Sequence, residues 1–197
     1  MTEITSKTIQ ISSCDIHFLE TGSSGRHTVI LLHGMKFQAA TWEKLGTLQQ
    51  LSEAGYHAVA VDMPGFGSSP PCAIHQDAVL QHFIRENRGR AVLVGPSMGG
   101  RIALEFTIKH PSSVAGLVLV GSVGVQENRD SLSAIRVPTL LVWGGEDRIS
   151  PLENCELLHA SIPGARKIVI EGAPHPCYLD NADIWHSELI RFLNTLD

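Results

Sequence analysis

The sequence predicts an α/β fold, a mostly parallel twisted sheet with helices on both faces and an antiparallel hairpin at its N-terminal edge. Three observations carry this expectation. Six short apolar runs, at residues 29–32, 59–61, 91–94, 117–120, 140–143 and 168–170, are rich in β-branched side chains. They are apolar on both faces, as strands of a sheet covered on both sides must be. Their starts lie 30, 32, 26, 23 and 28 residues apart, close to the roughly 30 residues of one βαβ unit. Each run is also bounded by Gly, Pro or Asp within a few residues, which argues against buried helices.

The elements follow in order. Residues 7–11 and 14–19 alternate in polarity around Ser12-Ser13 and read as a hairpin. Gly22-Ser23-Ser24-Gly25 then reads as a flexible loop. Helices are expected over residues 41–55, 74–86, 98–110, 151–161 and 184–196, with Gly55 and Pro111 standing where two of them should stop. Between Val120 and Thr139 only 18 residues remain, enough for one small helix or a loop. No linker, repeat or low-complexity tract divides the chain, so residues 1–197 are expected to form a single domain.

Composition narrows the function classes. Hydrophobic residues make up 43% and charged residues 18% of the 197, which excludes a disordered, heavily solvated chain. Fifteen Lys and Arg against twenty Asp and Glu give a net charge of −5, the wrong sign for a protein that grips a nucleic-acid backbone. No apolar run approaches the roughly 20 residues that span a bilayer, and residues 1–10 lack the apolar stretch of a signal peptide. The four cysteines, Cys14, Cys72, Cys155 and Cys177, form no CxxC pair. Scattered free thiols are expected, and with them a reducing, cytoplasmic location, with a long-range disulfide as the less favoured alternative.

The chemistry-bearing residues gather at the ends of the expected strands. Gly95-Pro96-Ser97-Met98-Gly99 follows the strand 91–94 and opens the helix 98–110. That is G-x-S-x-G in a strand, sharp turn and helix. The turn needs small residues on both sides of the serine, and it presents Oγ at a helix N-terminus, where partial positive charge favours a developing anion. Such a serine needs a base, and the base needs an orienting acid. Of the ten histidines, His175 lies in the Gly/Pro-rich loop Glu171-Gly172-Ala173-Pro174-His175-Pro176 after the last parallel strand, where sheets of this kind assemble their sites. His17, His82, His110, His159 and His186 lie in the hairpin or on helical segments. Asp147 follows the strand 140–143 in Gly144-Gly145-Glu146-Asp147 and is preferred as the acid over its neighbour Glu146. Ser97, Asp147 and His175 then run in the chain order Ser…Asp…His.

His33-Gly34 follows the strand 29–32, and the glycine lets the backbone come close, so that the N–H groups of Met35 and Met98 could form an oxyanion hole. His33 reads as a hydrogen-bonded structural residue. Asp62-Met63-Pro64-Gly65-Phe66-Gly67-Ser68-Ser69 reads as a turn rather than a source of a catalytic carboxylate. Phe37, Phe66 and Tyr178 are candidates for substrate contact, and each fits equally well as core filler. Metal and cofactor signatures are missing: there is no HExxH, Cys72-x-x-His75 has no second half, and neither G-x-G-x-x-G nor G-x-x-x-x-G-K-[ST] occurs where a nucleotide site would need it. No metal and no cofactor are expected.

Taken together, His33-Gly34, Asp62-x-Pro64-Gly65-x-Gly67-x-Ser69, Gly95-x-Ser97-x-Gly99, Gly144-x-x-Asp147 and His175 resemble the α/β-hydrolase superfamily across essentially the whole chain. The stretches 31–34, 41–48, 54–60 and 175–180 are similar to the small abhydrolase domain-containing 14 branch. That resemblance implies a cytosolic or nuclear serine hydrolase without a cap domain, active on p-nitrophenyl esters and on acetyl-lysine, with the acetyl group passed to coenzyme A. The turn Gly95-Pro96-Ser97-Met98-Gly99-Gly100 departs from the vertebrate pattern toward the generic microbial esterase form. Cleavage of small short-acyl esters through an acyl-enzyme is therefore the expected function. Transfer of acetyl to coenzyme A is one alternative, although only Arg85, Arg88 and Arg90 concentrate positive charge locally. A non-catalytic binder on the hydrolase fold is the other. The expected partner is a small acyl ester, with neither nucleic acid nor membrane. Natural substrate and oligomeric state are not legible.

Overall fold

Alternating polarity at the start of the chain produces β1 (Thr5–Ile11) and β2 (Cys14–Thr21). They are joined by a two-residue turn in which Ser12 takes a φ of 57°, the left-handed backbone that tight hairpins demand. In the computed structural model, which describes residues 3–22, 26–87 and 89–196, the hairpin continues into a larger sheet. The apolar runs form β3 (Thr28–Leu31), β4 (His57–Val61), β5 (Ala91–Pro96), β6 (Val114–Val120), β7 (Thr139–Gly144) and β8 (Arg166–Ile170). The eight strands lie in the order β1-β2-β4-β3-β5-β6-β7-β8. Pairing is antiparallel from β1 to β2 and from β2 to β4, and parallel across the rest. Most of the loop expected at 22–25 and the basic residue Arg88 lie outside the described residues.

Period-two alternation sorts the strand side chains into two cores. Ile30, Val59, Val61, Leu93, Leu117, Leu119, Leu141 and Trp143 face one layer, which α3 (Gln76–Glu86), α4 (Ser97–Lys109) and α5 (Leu152–Ser161) cover. Val29, Leu31, Ala58, Ala60, Val92, Val94, Val118, Val120 and Val142 face the other. There α1 (Ala39–Lys44), α2 (Thr47–Glu53), α6 (Cys177–Asp180) and α7 (Ala182–Leu193) pack. Strand order reverses at β3, because β4 lies on one side of it and β5 on the other. Crevices beyond the C-terminal strand ends at such a reversal are where open α/β sheets bind ligands.

Three expectations need correcting. The helix expected over 41–55 is two helices, because Gly46 adopts a φ of 82° and caps α2 afresh. The final helix runs from Ala182 to Leu193 and is preceded by the short α6, which periodicity did not reveal. The largest correction concerns the cysteines. Cys14 and Cys72 are joined by a disulfide, with Cα atoms 5.8 Å apart across a sequence separation of 58. Only Cys155 and Cys177 are free. The bridge ties the start of β2 to the segment before α3, and closing so long a loop restricts the unfolded chain by on the order of 4 kcal/mol. It also removes half of the free-thiol support for a reducing compartment. Among the described residues no helix is long and apolar enough to cross a membrane.

Candidate active site

The turn around Ser97 is built by close contact. Ser97 opens α4 with a φ of 50°, a left-handed conformation that disfavours a residue with a Cβ by about 1–2 kcal/mol. Such strain persists only where the surroundings over-determine it. Here they do. A Cβ on Gly95 would lie 2.2 Å from the carbonyl oxygen of Gly99, and one on Gly99 would lie 2.8 Å from that of His33. Both glycines are required by neighbouring backbone, as the sequence pattern anticipates.

Asp147 and His175 meet. Imidazole Nδ1 of His175 lies 2.8 Å from Oδ2 of Asp147, whose side chain is fully buried while that of His175 is 19% exposed. The backbone N–H groups of Ile149 and Ser150 donate to Oδ1 of Asp147 at 2.9 and 2.8 Å. These bonds fix the carboxylate. Because a carboxylate can only accept, the proton between the two residues sits on Nδ1, leaving Nε2 of His175 as an acceptor. Glu146 is exposed, and its N–H donates to the carbonyl of Ala173 at 3.0 Å.

A short loop after β6 touches Ser97 through its backbone and approaches the Asp147–His175 pair. The N–H of Gly121 donates to the carbonyl of Val142 on β7 at 3.0 Å, and that of Val123 donates to the carbonyl of Ser97 at 3.3 Å. A Cβ on Gly121 would lie 2.9 Å from Oδ2 of Asp147 and 3.2 Å from Nδ1 of His175. Ser150 Oγ donates to the carbonyl of Ser122 at 2.6 Å, and Asn154 Nδ2 donates in turn to Ser150 Oγ at 3.1 Å. Gly144 completes the arrangement: a Cβ there would lie 2.4 Å from the carbonyl oxygens of Ala173 and Pro174. Among the described residues, however, no hydrogen bond joins Ser97 Oγ to His175.

The sequence profile of the alpha/beta hydrolase fold matches residues 27–133 and 125–182. The chain belongs to the α/β-hydrolase family. Among its curated relatives, the rat protein named "Putative protein-lysine deacylase ABHD14B" is 36% identical over 208 residues, covering 98% of each chain. Human "Protein ABHD14A" is 36% identical over 185 residues, 90% of this chain and 68% of its own. The crystal structure of a "predicted CIB-like hydrolase" from Thermoplasma acidophilum superposes with a TM-score of 0.94 at 26% identity, over 99% of this chain and 100% of the other.

In this α/β-hydrolase the other sequence-selected residues divide. Gly34 brings its backbone close to Ser97, since a Cβ there would lie 3.7 Å from Cβ of Ser97. Met35 follows it with a side chain 67% exposed. Met98 occupies the first turn of α4, where backbone N–H groups have no intrahelical acceptor. Phe37 is half-buried, with its ring beside Gly34, and Phe66 is half-buried against the imidazole of His33. Tyr178 is not at the site. It is 2% exposed and packs between Trp42 and Trp185, which corrects its assignment to substrate binding. Its place on the core-facing side of α6 depends on a helix that the sequence reading did not contain.

His33 is structural, as expected. Its Nδ1 donates to the carbonyl of Gly34 at 2.9 Å and its Nε2 accepts from the N–H of Met63 at 3.1 Å. Burial pushes its pKa below the ordinary histidine value, against the bond to Gly34, so the neutral ring is the stable form. Asp62 binds the turn that follows it, accepting from the N–H of Ser68 at 2.9 Å, and also accepts from the N–H of Ala39 at 2.6 Å. Ser122, Ser150 and Asn154 were missed. The only sequence signal for them is Gly121-Ser122 directly after a strand and a serine three residues beyond the acid.

The thiols do not compete with Ser97. Cys155 and Cys177 are fully buried, and burial pushes both up to about 12. A maleimide is expected to label no cysteine in the native protein, two after denaturation without reductant and all four after reduction. Rapid native labelling of Cys177 would show an accessible thiolate beside the acid.

Proposed function

We propose that this α/β-hydrolase is a serine hydrolase that cleaves small short-acyl esters through an acyl-enzyme. The observation that carries the reading is the His175–Asp147 pair at 2.8 Å, lying beside the same β6 loop that bonds the carbonyl of the strained Ser97. His175 Nε2 takes the proton of Ser97 as Oγ attacks the carbonyl, a contact of the kind that tightens in the substrate complex. Asp147 holds the imidazole tautomer and stabilises the imidazolium. The N–H groups of Met35 and Met98 receive the oxyanion, the alcohol leaves with the proton from His175, and water repeats the sequence to release the acid.

Two features support short acyl groups. Residues 121–138 carry a 3₁₀ helix, Gln126–Ala134, where a cap would otherwise be inserted. At the strand ends Met35 and Ile149 are 67% and 65% exposed, so these apolar side chains do not close over the site. An acyl chain that stays in water gains little from extra methylenes, whereas full burial would give about 0.8 kcal/mol, or fourfold, for each.

A second reading rests on the curated relative named as a putative protein-lysine deacylase: the acyl-enzyme would form from an acyl-lysine amide and pass to a thiol such as coenzyme A. One experiment addresses both. A series of p-nitrophenyl esters from acetyl to octanoyl, measured with and without coenzyme A, should show kcat/KM flat or falling beyond butyryl and unaffected by the thiol. A fourfold rise per methylene would overturn the short-acyl assignment. Acceleration by coenzyme A, with acetyl-coenzyme A formed, would favour the second reading. No turnover above buffer with any ester would sink the esterase proposal.

A further inference from the structure

A second chain of serine, histidine and carboxylate lies on the hairpin, in residues the hydrolase site does not use. Ser6 Oγ is 2.9 Å from Nε2 of His17, and Nδ1 of His17 is 2.7 Å from Oδ2 of Asp62. The pairing arises from sheet register. In the β1–β2 ladder Thr8 stands opposite His17 and Ser6 opposite Leu19, so Ser6 and His17 are diagonal neighbours on one face, within reach of a long side chain. Asp62 arrives from the end of β4, whose backbone meets β2 through the N–H of Asp62 donating to the carbonyl of His17 at 3.0 Å.

The inner members are fixed and the outer one is accessible. The Asp62 side chain is 3% exposed and that of His17 is 14% exposed. Asp62 also accepts from the N–H groups of Ala39 and Ser68. Ser69 Oγ accepts from the N–H of His17 at 2.8 Å and donates to the carbonyl of Asp62 at 2.7 Å. The carboxylate must accept, so Nδ1 of His17 carries the proton and Nε2 accepts from the Ser6 hydroxyl. This is the polarity of a general base acting on a nucleophile. Ser6 itself is exposed on the edge strand.

We propose that Ser6 is a second acyl-accepting serine, activated by His17 and Asp62, which takes acyl groups from activated esters and retains them. As Ser6 Oγ bonds to the acyl carbon, its proton passes to Nε2 of His17. The bond from that carbon to the leaving oxygen breaks, and the leaving group departs as a stabilised anion that recovers the proton from His17 or from water. The restriction to activated donors follows from position. Ser6 sits inside a strand, where side chains stand roughly perpendicular to the sheet and N–H groups lie in its plane, whereas Ser97 sits at a helix N-terminus. Without donors aimed at the oxyanion, general-base assistance alone contributes about 10²–10⁴ in rate. The product is an ordinary alkyl ester with a poor leaving group, so it persists.

The test uses the full chain carrying Ser97→Ala, which makes it independent of the hydrolase proposal. With p-nitrophenyl acetate and peptide mass mapping, acetyl at Ser6 should accumulate on the order of 10²-fold faster than at Ser12 and Ser13, two exposed serines in the same chain. The label should remain after the ester is removed, and ethyl acetate should give none. Adding His17→Gln should reduce the Ser6 rate to that of the two reference serines. Equal rates at all three serines, acetyl on Lys7 with none on Ser6, or an undiminished preference with His17→Gln would each overturn the proposal. The ratio is read within one folded chain, so it decides the matter even if the His17 variant does not fold.

Discussion

Replacing Ser97 by alanine is expected to lower kcat for p-nitrophenyl acetate by about 10⁴-fold or more while leaving the fold intact. Ser97 is half-buried and its side chain makes no hydrogen bond to another described residue, so its loss should change stability little. The rate falls because the acyl-enzyme cannot form, and what remains is assistance from binding and oxyanion donors. Asp147→Asn should cost a comparable factor by a different route. An amide opposite Nδ1 favours the wrong imidazole tautomer, although the turn bonds from Ile149 and Ser150 can still be accepted by the amide oxygen. A fluorophosphonate probe, with the adduct located by peptide mapping, should mark Ser97 in the wild type. Retained turnover in Ser97→Ala would remove the nucleophile from the account.

The second large effect is expected from Gly95→Ala. The added methyl would stand 2.2 Å from the carbonyl oxygen of Gly99, 2.3 Å from its carbonyl carbon and 2.6 Å from the nitrogen of Gly100. None of these can give way as a side chain tip would, because all are backbone in the first turn of α4. Overpacking of this kind costs about 3 kcal/mol, and any relief moves Ser97 away from His175. Thermal unfolding should therefore occur at a clearly lower temperature, with kcat lost alongside. Wild-type stability and kcat in this variant would mean that the turn is looser than its contacts indicate. Gly164→Ala is a useful control for the clash, since a Cβ there meets nothing within 4 Å, and its φ of 75° confines the cost to backbone strain.

The parallel sheet was readable because its inner strands are apolar on both faces, a pattern that little else produces. The placement of Ser97, Asp147 and His175 at strand ends was readable for a related reason: each follows a strand, so sequence position carries spatial position with it. Where that link fails, so does the reading. Gly46 sits inside an otherwise continuous helical pattern, and only its left-handed backbone in the folded chain separates α1 from α2. Tyr178 looked like a pocket residue because the direction of a four-residue helix has no periodicity to reveal it. The Cys14–Cys72 bridge joins a strand to the coil before α3 across 58 positions, and the His17–Asp62 contact joins β2 to the end of β4 across 45; no local signal marks either. Ser122 and Ser150 are similar, small polar residues whose role exists only once two loops meet.

The loop 121–123 reaches all three neighbours of the proposed reaction centre: it bonds the carbonyl of Ser97 through Val123 and the carbonyl of Val142 through Gly121, and receives Ser150 at Ser122. It is the keystone of the rim, and one residue added to it would shift nucleophile, acid and imidazole together. Any lineage, or any engineer, wishing to graft a cover onto this scaffold must therefore splice it downstream, within Gln126–Ala134, where an insertion can grow outward without disturbing the arch.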